Sequence, residues 1–204
     1  MVESGVEELF FNNIPGSNKL FTYEGGNWVP RNIGDALEPT GHGTGGAVGD
    51  FDGDGRLELL IAHGESASEP MSYFRPRGGA DNNWLRVLPL TQFDGPARGA
   101  TVRLHMTGAS GEVPKLRVID AGSGYLCQME PVAHFGLGLA AVVAEVAVTW
   151  PDGTTQRVLN PSINTLHRLP HPSLRRPSRP RLTRPRWRRQ RHPRRLRGRR
   201  RPPL

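Results

Sequence analysis

Apolar residues in the first 170 positions occur mostly in short runs of strand length, separated by glycine, asparagine and proline. Val102, Leu104 and Met106 alternate with polar neighbours, which is the two-residue period of a half-buried strand. Residues 151–154 read Pro-Asp-Gly-Thr, a strong turn between two strands. The pattern predicts a mainly β protein in which residues 131–144 alone allow a short helix. The predicted strands are 9–11, 47–48, 57–62, 84–88, 101–106, 115–119 and 142–150.

Charge divides the chain sharply. The 204 residues carry a net charge of +8, yet 15 of the 27 basic residues and none of the 19 acidic ones follow Pro170. The body is therefore mildly acidic, and residues 170–204 form an Arg/Pro-rich tail. Because this tail has almost no apolar content, repels itself and is broken by prolines, it is predicted to be disordered.

Two interpretations of the tail remain open. It is a binding segment for polyanions such as nucleic acid, heparin-like glycans or anionic membranes. Alternatively, it is not a selected segment, since arginine, proline and leucine without lysine is what GC-rich DNA yields in a wrong reading frame. We expect a nucleic-acid or glycan partner only if the tail is genuine.

Residues 50–58 carry the strongest chemical signal. The sequence Asp-Phe-Asp-Gly-Asp-Gly-Arg-Leu-Glu places acids at nearly every second position, and its two glycines allow the positive φ angles of a tight loop. Ca²⁺ takes six to eight oxygen ligands, and a cation would relieve the repulsion between these carboxylates. The predicted ligands are the side chains of Asp50, Asp52, Asp54 and Glu58 and the backbone carbonyl of Arg56.

The acidic segment is also compatible with a solvated turn that binds no ion, because Asp-Gly pairs are common in turns. An EF-hand is a poorer match. Its twelfth position would be Ile61 instead of a bidentate glutamate, and a glycine-rich stretch precedes the loop in place of a helix. Since residues 57–62 have the composition of a strand, the loop is predicted to join two strands of a β-hairpin.

The segments around this loop resemble known families. Residues 82–87 (Asn-Asn-Trp-Leu-Arg-Val), 122–127, 130–138 and 148–153 look like the ASPIC/UnbV domain, across roughly residues 82–169. The Phe-Phe-Asn-Asn of residues 10–13 and the acidic segment 50–58 resemble an FG-GAP/VCBS (integrin-α-like) repeat. This order of segments resembles the C-terminal half of cartilage acidic proteins, a family of secreted matrix glycoproteins.

The resemblance implies a calcium-stabilised β-propeller segment at 1–80, with its calcium loop at 50–58. A small ASPIC/UnbV β-domain at 82–169 and the disordered tail at 170–204 follow. Because a propeller has about four to eight blades and residues 1–80 supply roughly one, we expect a truncated or mispredicted portion of a longer protein. Glu58 stands where such loops usually carry aspartate.

The function implied is that of a secreted, non-enzymatic, calcium-binding interaction protein. Its expected partner is an extracellular-matrix or cell-surface protein, bound through the ASPIC/UnbV surface. Residues 1–8 lack the apolar region of a secretion signal, and no stretch reaches the roughly 20 apolar residues of a membrane span. Cys127, His134 and Asp120 are the components of a thiol-protease triad, but no nucleophile turn accompanies them, so catalysis is not expected.

Overall fold

The computed structural model describes residues 7–14, 16–64, 69–106, 114–139 and 142–173, which all fall within one compact unit. We call residues 7–80 the N-terminal half and residues 81–173 the C-terminal half. The predicted disorder of the tail concerns residues that, beyond position 173, lie outside the described set.

The N-terminal half contains two three-stranded antiparallel sheets. A single 3₁₀ turn, Gly34–Leu37, connects them. Together they bury a small apolar cluster of Ala36, Leu59 and Ile61. The first sheet consists of β1 (Glu8–Phe11), β2 (Lys19–Glu24) and β3 (Asn27–Arg31), and the second of β4 (Gly43–Gly49), β5 (Glu58–His63) and β6 (Ser72–Phe74).

The C-terminal half contains a three-stranded and a four-stranded sheet. Their strands are β7 (Asn83–Pro89), β8 (Thr101–Met106), β9 (Lys115–Val118), β10 (Ala133–Gly138), β11 (Val143–Thr149), β12 (Thr155–Leu159) and β13 (Leu166–Leu169). The first sheet has the order β10-β7-β13, with β13 parallel to β7, and the second has the order β12-β11-β8-β9.

The main core lies in the C-terminal half. Strands β7, β8, β10 and β11 contribute most of its residues, because each presents apolar side chains at alternate or successive inward positions. Its buried residues are Leu85, Val87, Ala97, Ala100, Val102, Leu104, Ile119, Ala133, Phe135, Leu137, Val143, Val146, Val148, Trp150 and Leu169.

The structure confirms that the fold is mainly β. The predicted hairpin turn at residues 151–154 joins β11 to β12, and the acidic segment joins β4 to β5 as expected. The helix allowed for residues 131–144 is wrong. Ala133–Gly138 is strand β10, paired antiparallel with β7, because its inward positions Ala133, Phe135 and Leu137 follow a two-residue period.

Candidate metal centre

The acidic loop, residues 50–57, is held at both ends by the pairing of β4 with β5. Gly49 and Glu58 are partners in this antiparallel register, so Glu58 lies beside the start of the loop. Gly53 and Gly55 have φ angles of +79° and +88°, which is the conformation that residues with a Cβ rarely adopt. The loop therefore turns back tightly enough to bring its first and last acids together.

Three of the predicted ligands converge. Asp50, Asp52 and Glu58 each offer a carboxylate oxygen, and these oxygens lie within 4.8 Å of one another. The Asp50 side chain is fully buried, that of Asp52 is about one-third exposed, and Glu58 is 1% exposed. Burial and then the negative charges of Asp52, Asp54 and Asp50 raise the pKa of Glu58, although a hydrogen bond from the Phe51 amide opposes this.

The hydrogen bonds of the cluster leave a buried oxygen of Asp50 without a partner. The Gly55 amide donates to Asp50 Oδ2 over 3.0 Å, and the Phe51 amide donates to Glu58 Oε2 over 2.8 Å. Asp50 Oδ1 is buried and has no hydrogen-bond partner. Since a buried polar atom without a partner is costly, this oxygen fits a ligand for a cation. An all-carboxylate donor set suits a hard cation such as Ca²⁺.

Asp54 pairs with Arg56 in this structure. The Asp54 carboxylate lies outside the group of three and accepts hydrogen bonds from Arg56, through the backbone amide at 2.8 Å and Nε at 2.9 Å. The hydrogen bond from the Arg56 side chain is the main cause of the lowered pKa of Asp54. A ligand role for Asp54 and for the Arg56 carbonyl stays a prediction.

The C-terminal half supplies contacts to the loop that the sequence did not predict. Arg86, on β7, donates from Nη1 to Asp50 Oδ2 over 2.7 Å. Its Nη2 donates to both carboxylate oxygens of Glu130, at 2.7 and 2.6 Å. Glu130 also accepts a 3.3 Å bond from the Asp50 amide. The sequence does carry one indication of this contact. Arg86 lies inside the otherwise apolar run of residues 84–88, and a buried charge requires a partner.

Two further side chains of the C-terminal half hold the loop at Gly55. His134 Nε2, on β10, donates to the Gly55 carbonyl over 2.8 Å, and burial lowers the pKa of this histidine. Trp84 lies so close that a Cβ added to Gly55 would overlap its indole ring. The loop is thus packed between its own hairpin and strands β7 and β10.

The residues of the rejected catalytic triad are engaged separately. Cys127 Sγ contacts the Ser123 carbonyl at 3.5 Å, and Asp120 accepts a hydrogen bond from the Ser123 hydroxyl at 2.8 Å. His134 contacts the acidic loop instead. The structure therefore does not bring these three side chains into one hydrogen-bonded set.

Comparisons with known proteins agree with the motifs. An FG-GAP-like repeat matches residues 4–61, and the family described as ASPIC and UnbV matches residues 91–176. Cartilage acidic protein 1 of Homo sapiens is 51% identical over 176 residues, which are 81% of this chain and 26% of that protein. The chain is a homologue of the cartilage acidic proteins.

Two other relatives give the same result. Cartilage acidic protein 1 of Mus musculus is 51% identical and that of Xenopus tropicalis 49% identical, each over 81% of this chain. The chain spans about a quarter of the length of these relatives, 27% in both. The resemblance inferred from the motifs is thus confirmed. Within the described residues, no helix has the length and apolar character needed to cross a membrane.

Proposed function

We propose that this chain is a non-enzymatic, extracellular calcium-binding interaction protein. Calcium bound at the acidic loop would stabilise the β4–β5 hairpin and its contact with the C-terminal half. The observation that carries the proposal is the convergence of Asp50, Asp52 and Glu58 within 4.8 Å, together with the unpartnered, buried Asp50 Oδ1.

The chemistry of the loop supports a structural role for the cation. A bound calcium ion supplies positive charge that cancels carboxylate repulsion, and its binding couples to folding. In the same loop, the Gly55 amide orients Asp50 while the Phe51 amide orients Glu58. The two buried carboxylates are therefore held in place before the cation binds.

The C-terminal half is the proposed interaction surface for an extracellular-matrix or cell-surface protein. Strand β9 is an edge strand of its four-stranded sheet, and Leu116 and Val118 on it are 45% and 53% exposed. Exposed apolar residues on an edge strand favour contact with another protein. The relatives are named as cartilage proteins, which supports secretion into a matrix.

A calcium titration of the full chain by calorimetry tests the cation site. We expect one saturable site, and we expect Asp52→Asn to weaken it by about tenfold or more, because one of three converging charges is lost. Asp81→Asn is the matched control, since Asp81 is an exposed aspartate remote from the loop in sequence. Absence of saturable binding, or equal affinity in both variants, would contradict the proposal.

The arginine tail supports a second candidate function, which is polyanion binding. The supporting observation is the 15 arginines in residues 171–204 against no acid. Binding to heparin or duplex DNA should weaken steeply with salt and disappear when residues 174–204 are deleted. Binding that survives the deletion would assign it to the rest of the chain.

A further inference from the structure

Each aspartate of the acidic loop has an arginine partner. Asp52 Oδ2 lies 3.3 Å from Arg75 Nη2, while Asp54 pairs with Arg56. Arg86 pairs with Asp50 at 2.7 Å. Arg75 and Arg56 belong to the N-terminal half and are exposed or partly exposed, with side chains 63% and 34% accessible.

Arg86 differs from the other two arginines because it lies in the other half of the molecule and is buried. It comes from β7 of the C-terminal half, and its side chain is 8% exposed. Its Nε is buried without a partner, so the described contacts of the guanidinium are with the carboxylates of Asp50 and Glu130. This makes the Asp50–Arg86 pair a buried connection between the two halves, and Glu130 is the second carboxylate that Arg86 contacts.

We propose that Arg86 is the internal counter-ion of the acidic loop: it neutralises Asp50 when no cation is bound and keeps the two halves docked in that state. The proposal rests on the proposed calcium-binding function. It adds that the C-terminal half contributes to the charge balance of a site whose candidate ligands all belong to the N-terminal half.

The geometry favours a charge role for Arg86 over a role in orienting Asp50. The Gly55 amide also donates to Asp50 Oδ2, so this carboxylate keeps a second restraint when Arg86 is removed. Arg86 and Gly55 use Oδ2 and leave Oδ1 free. A cation on Oδ1 therefore does not compete with Arg86 for the same oxygen atom, and the two positive charges are alternative means of compensating one buried carboxylate.

Thermal unfolding of the full chain in calcium and in EDTA tests this inference. Arg86→Gln leaves Asp50 buried without a counter-ion, so we expect its Tm to fall by about 10 °C in EDTA and by less than half of that in calcium. Arg103→Gln is the matched control, because Arg103 is an exposed arginine on strand β8, and it should change both values little. Equal losses in the two conditions, or a larger loss in calcium, would overturn the proposal.

A double-variant cycle in EDTA separates a charge role of Arg86 from a packing role, and where Arg86→Gln does not fold in EDTA, the expected result is that adding Asp50→Asn restores a folded protein. In an Asp50→Asn background no charge remains at position 50 to compensate, and Glu130 is 29% exposed and partly hydrated. Arg86→Gln should therefore cost less than half as much Tm in that background as in the natural chain. A full loss, or failure of the double variant to fold, would overturn the counter-ion role.

The two proposals fail in different ways. If the natural chain gains no stability from calcium, the proposed calcium-binding function is wrong. The EDTA cycle uses no cation, so it still decides whether Arg86 is the counter-ion of Asp50.

Discussion

The two halves of this molecule are stabilised by different means. The C-terminal half buries fifteen apolar residues in one cluster, whereas the cluster of the N-terminal half has three buried members among the residues described. Among the residues described, two aromatic side chains of the C-terminal half are more than 40% exposed, Phe93 and Tyr125, against five in the N-terminal half: Phe11, Tyr23, Trp28, Phe51 and Tyr73. Hydrophobic burial is the main stabilising contribution in folding, so the N-terminal half has less of it.

The difference gives the acidic loop its importance. With little apolar burial of its own, the N-terminal half depends on polar contacts with the C-terminal half, such as Arg86 with Asp50 and His134 with Gly55. A cation in the same loop would strengthen the region that has the weaker core. Substitutions in the C-terminal core should therefore lower the stability by the same amount with and without calcium. The effect of substitutions in the loop should depend on calcium.

The largest expected effect compares one phenylalanine in each half. Phe135 is fully buried in the main core and Phe74 is partly buried at the small cluster. We expect Phe135→Ala to lower the free energy of unfolding by about 3–5 kcal/mol and Phe74→Ala to lower it by about half as much. Urea unfolding in calcium and in EDTA measures both. Equal losses for the two variants would contradict the contrast between the halves.

A second comparison uses two glycines of the acidic loop. Gly55→Ala carries the strain of a positive φ and also overlaps Trp84, whereas Gly53→Ala has a similar φ but nothing within 4 Å of the added Cβ. We expect a loss of about 1 kcal/mol for Gly53→Ala and of about 2–3 kcal/mol for Gly55→Ala. Tm values of the two variants side by side check this. A Gly53→Ala loss as large as that of Gly55→Ala would show that Trp84 does not restrict the loop.

The sequence predicted the loop and much of the sheet structure for physical reasons that act locally. Acids and glycines at fixed spacing favour a tight acidic loop at residues 50–57, and a two-residue apolar period identified strand Thr101–Met106 to the residue. Strands such as β3, Asn27–Arg31, carry no such pattern because they are exposed on both faces. Their strand conformation is fixed by pairing with neighbours, which a local pattern does not show.

The contacts between the halves were not predictable from local patterns. Arg86 and Asp50 are 36 positions apart, and His134 and Gly55 are 79 apart. Nothing in the residues around Asp50 indicates which distant arginine reaches it, since that depends on the packing of β7 and β10 against the loop. The sequence therefore predicted the candidate ligands, and the structure was needed to find the side chains that surround them.

The next smaller effect concerns Glu58 and pH. Because the pKa of Glu58 is raised in the folded, cation-free protein, the folded state binds its proton more tightly than the unfolded chain does. The contribution of Glu58 to the stability of the folded state is therefore complete below the ordinary glutamate pKa. It is lost as the pH rises through the pKa that Glu58 has in the folded state. At neutral pH in EDTA, we expect Glu58→Gln to raise Tm by about 3 °C.

Calcium should reverse this result. The variant lacks one of the three converging charges, so in calcium its Tm should fall below that of the natural chain. Thermal unfolding in EDTA from pH about 4 to about 8 should also show a weaker pH dependence for Glu58→Gln. The same change in Tm at every pH, with and without calcium, would mean that Glu58 acts through packing alone.

The smallest effect is expected for an ion pair outside the acidic loop. Arg157 on β12 and Glu145 on β11 lie 3.0 Å apart, but the arginine is 67% exposed, in contrast to the buried Arg86. Because water and salt screen an exposed pair, Arg157→Ala should change the free energy of unfolding by about 0.5 kcal/mol or less. This change should be the same in calcium and in EDTA. A loss comparable to that of Arg86→Gln would mean that an exposed ion pair away from the acidic loop stabilises the protein as much as the buried pair does. Stabilisation by ion pairs would then not be specific to the acidic loop.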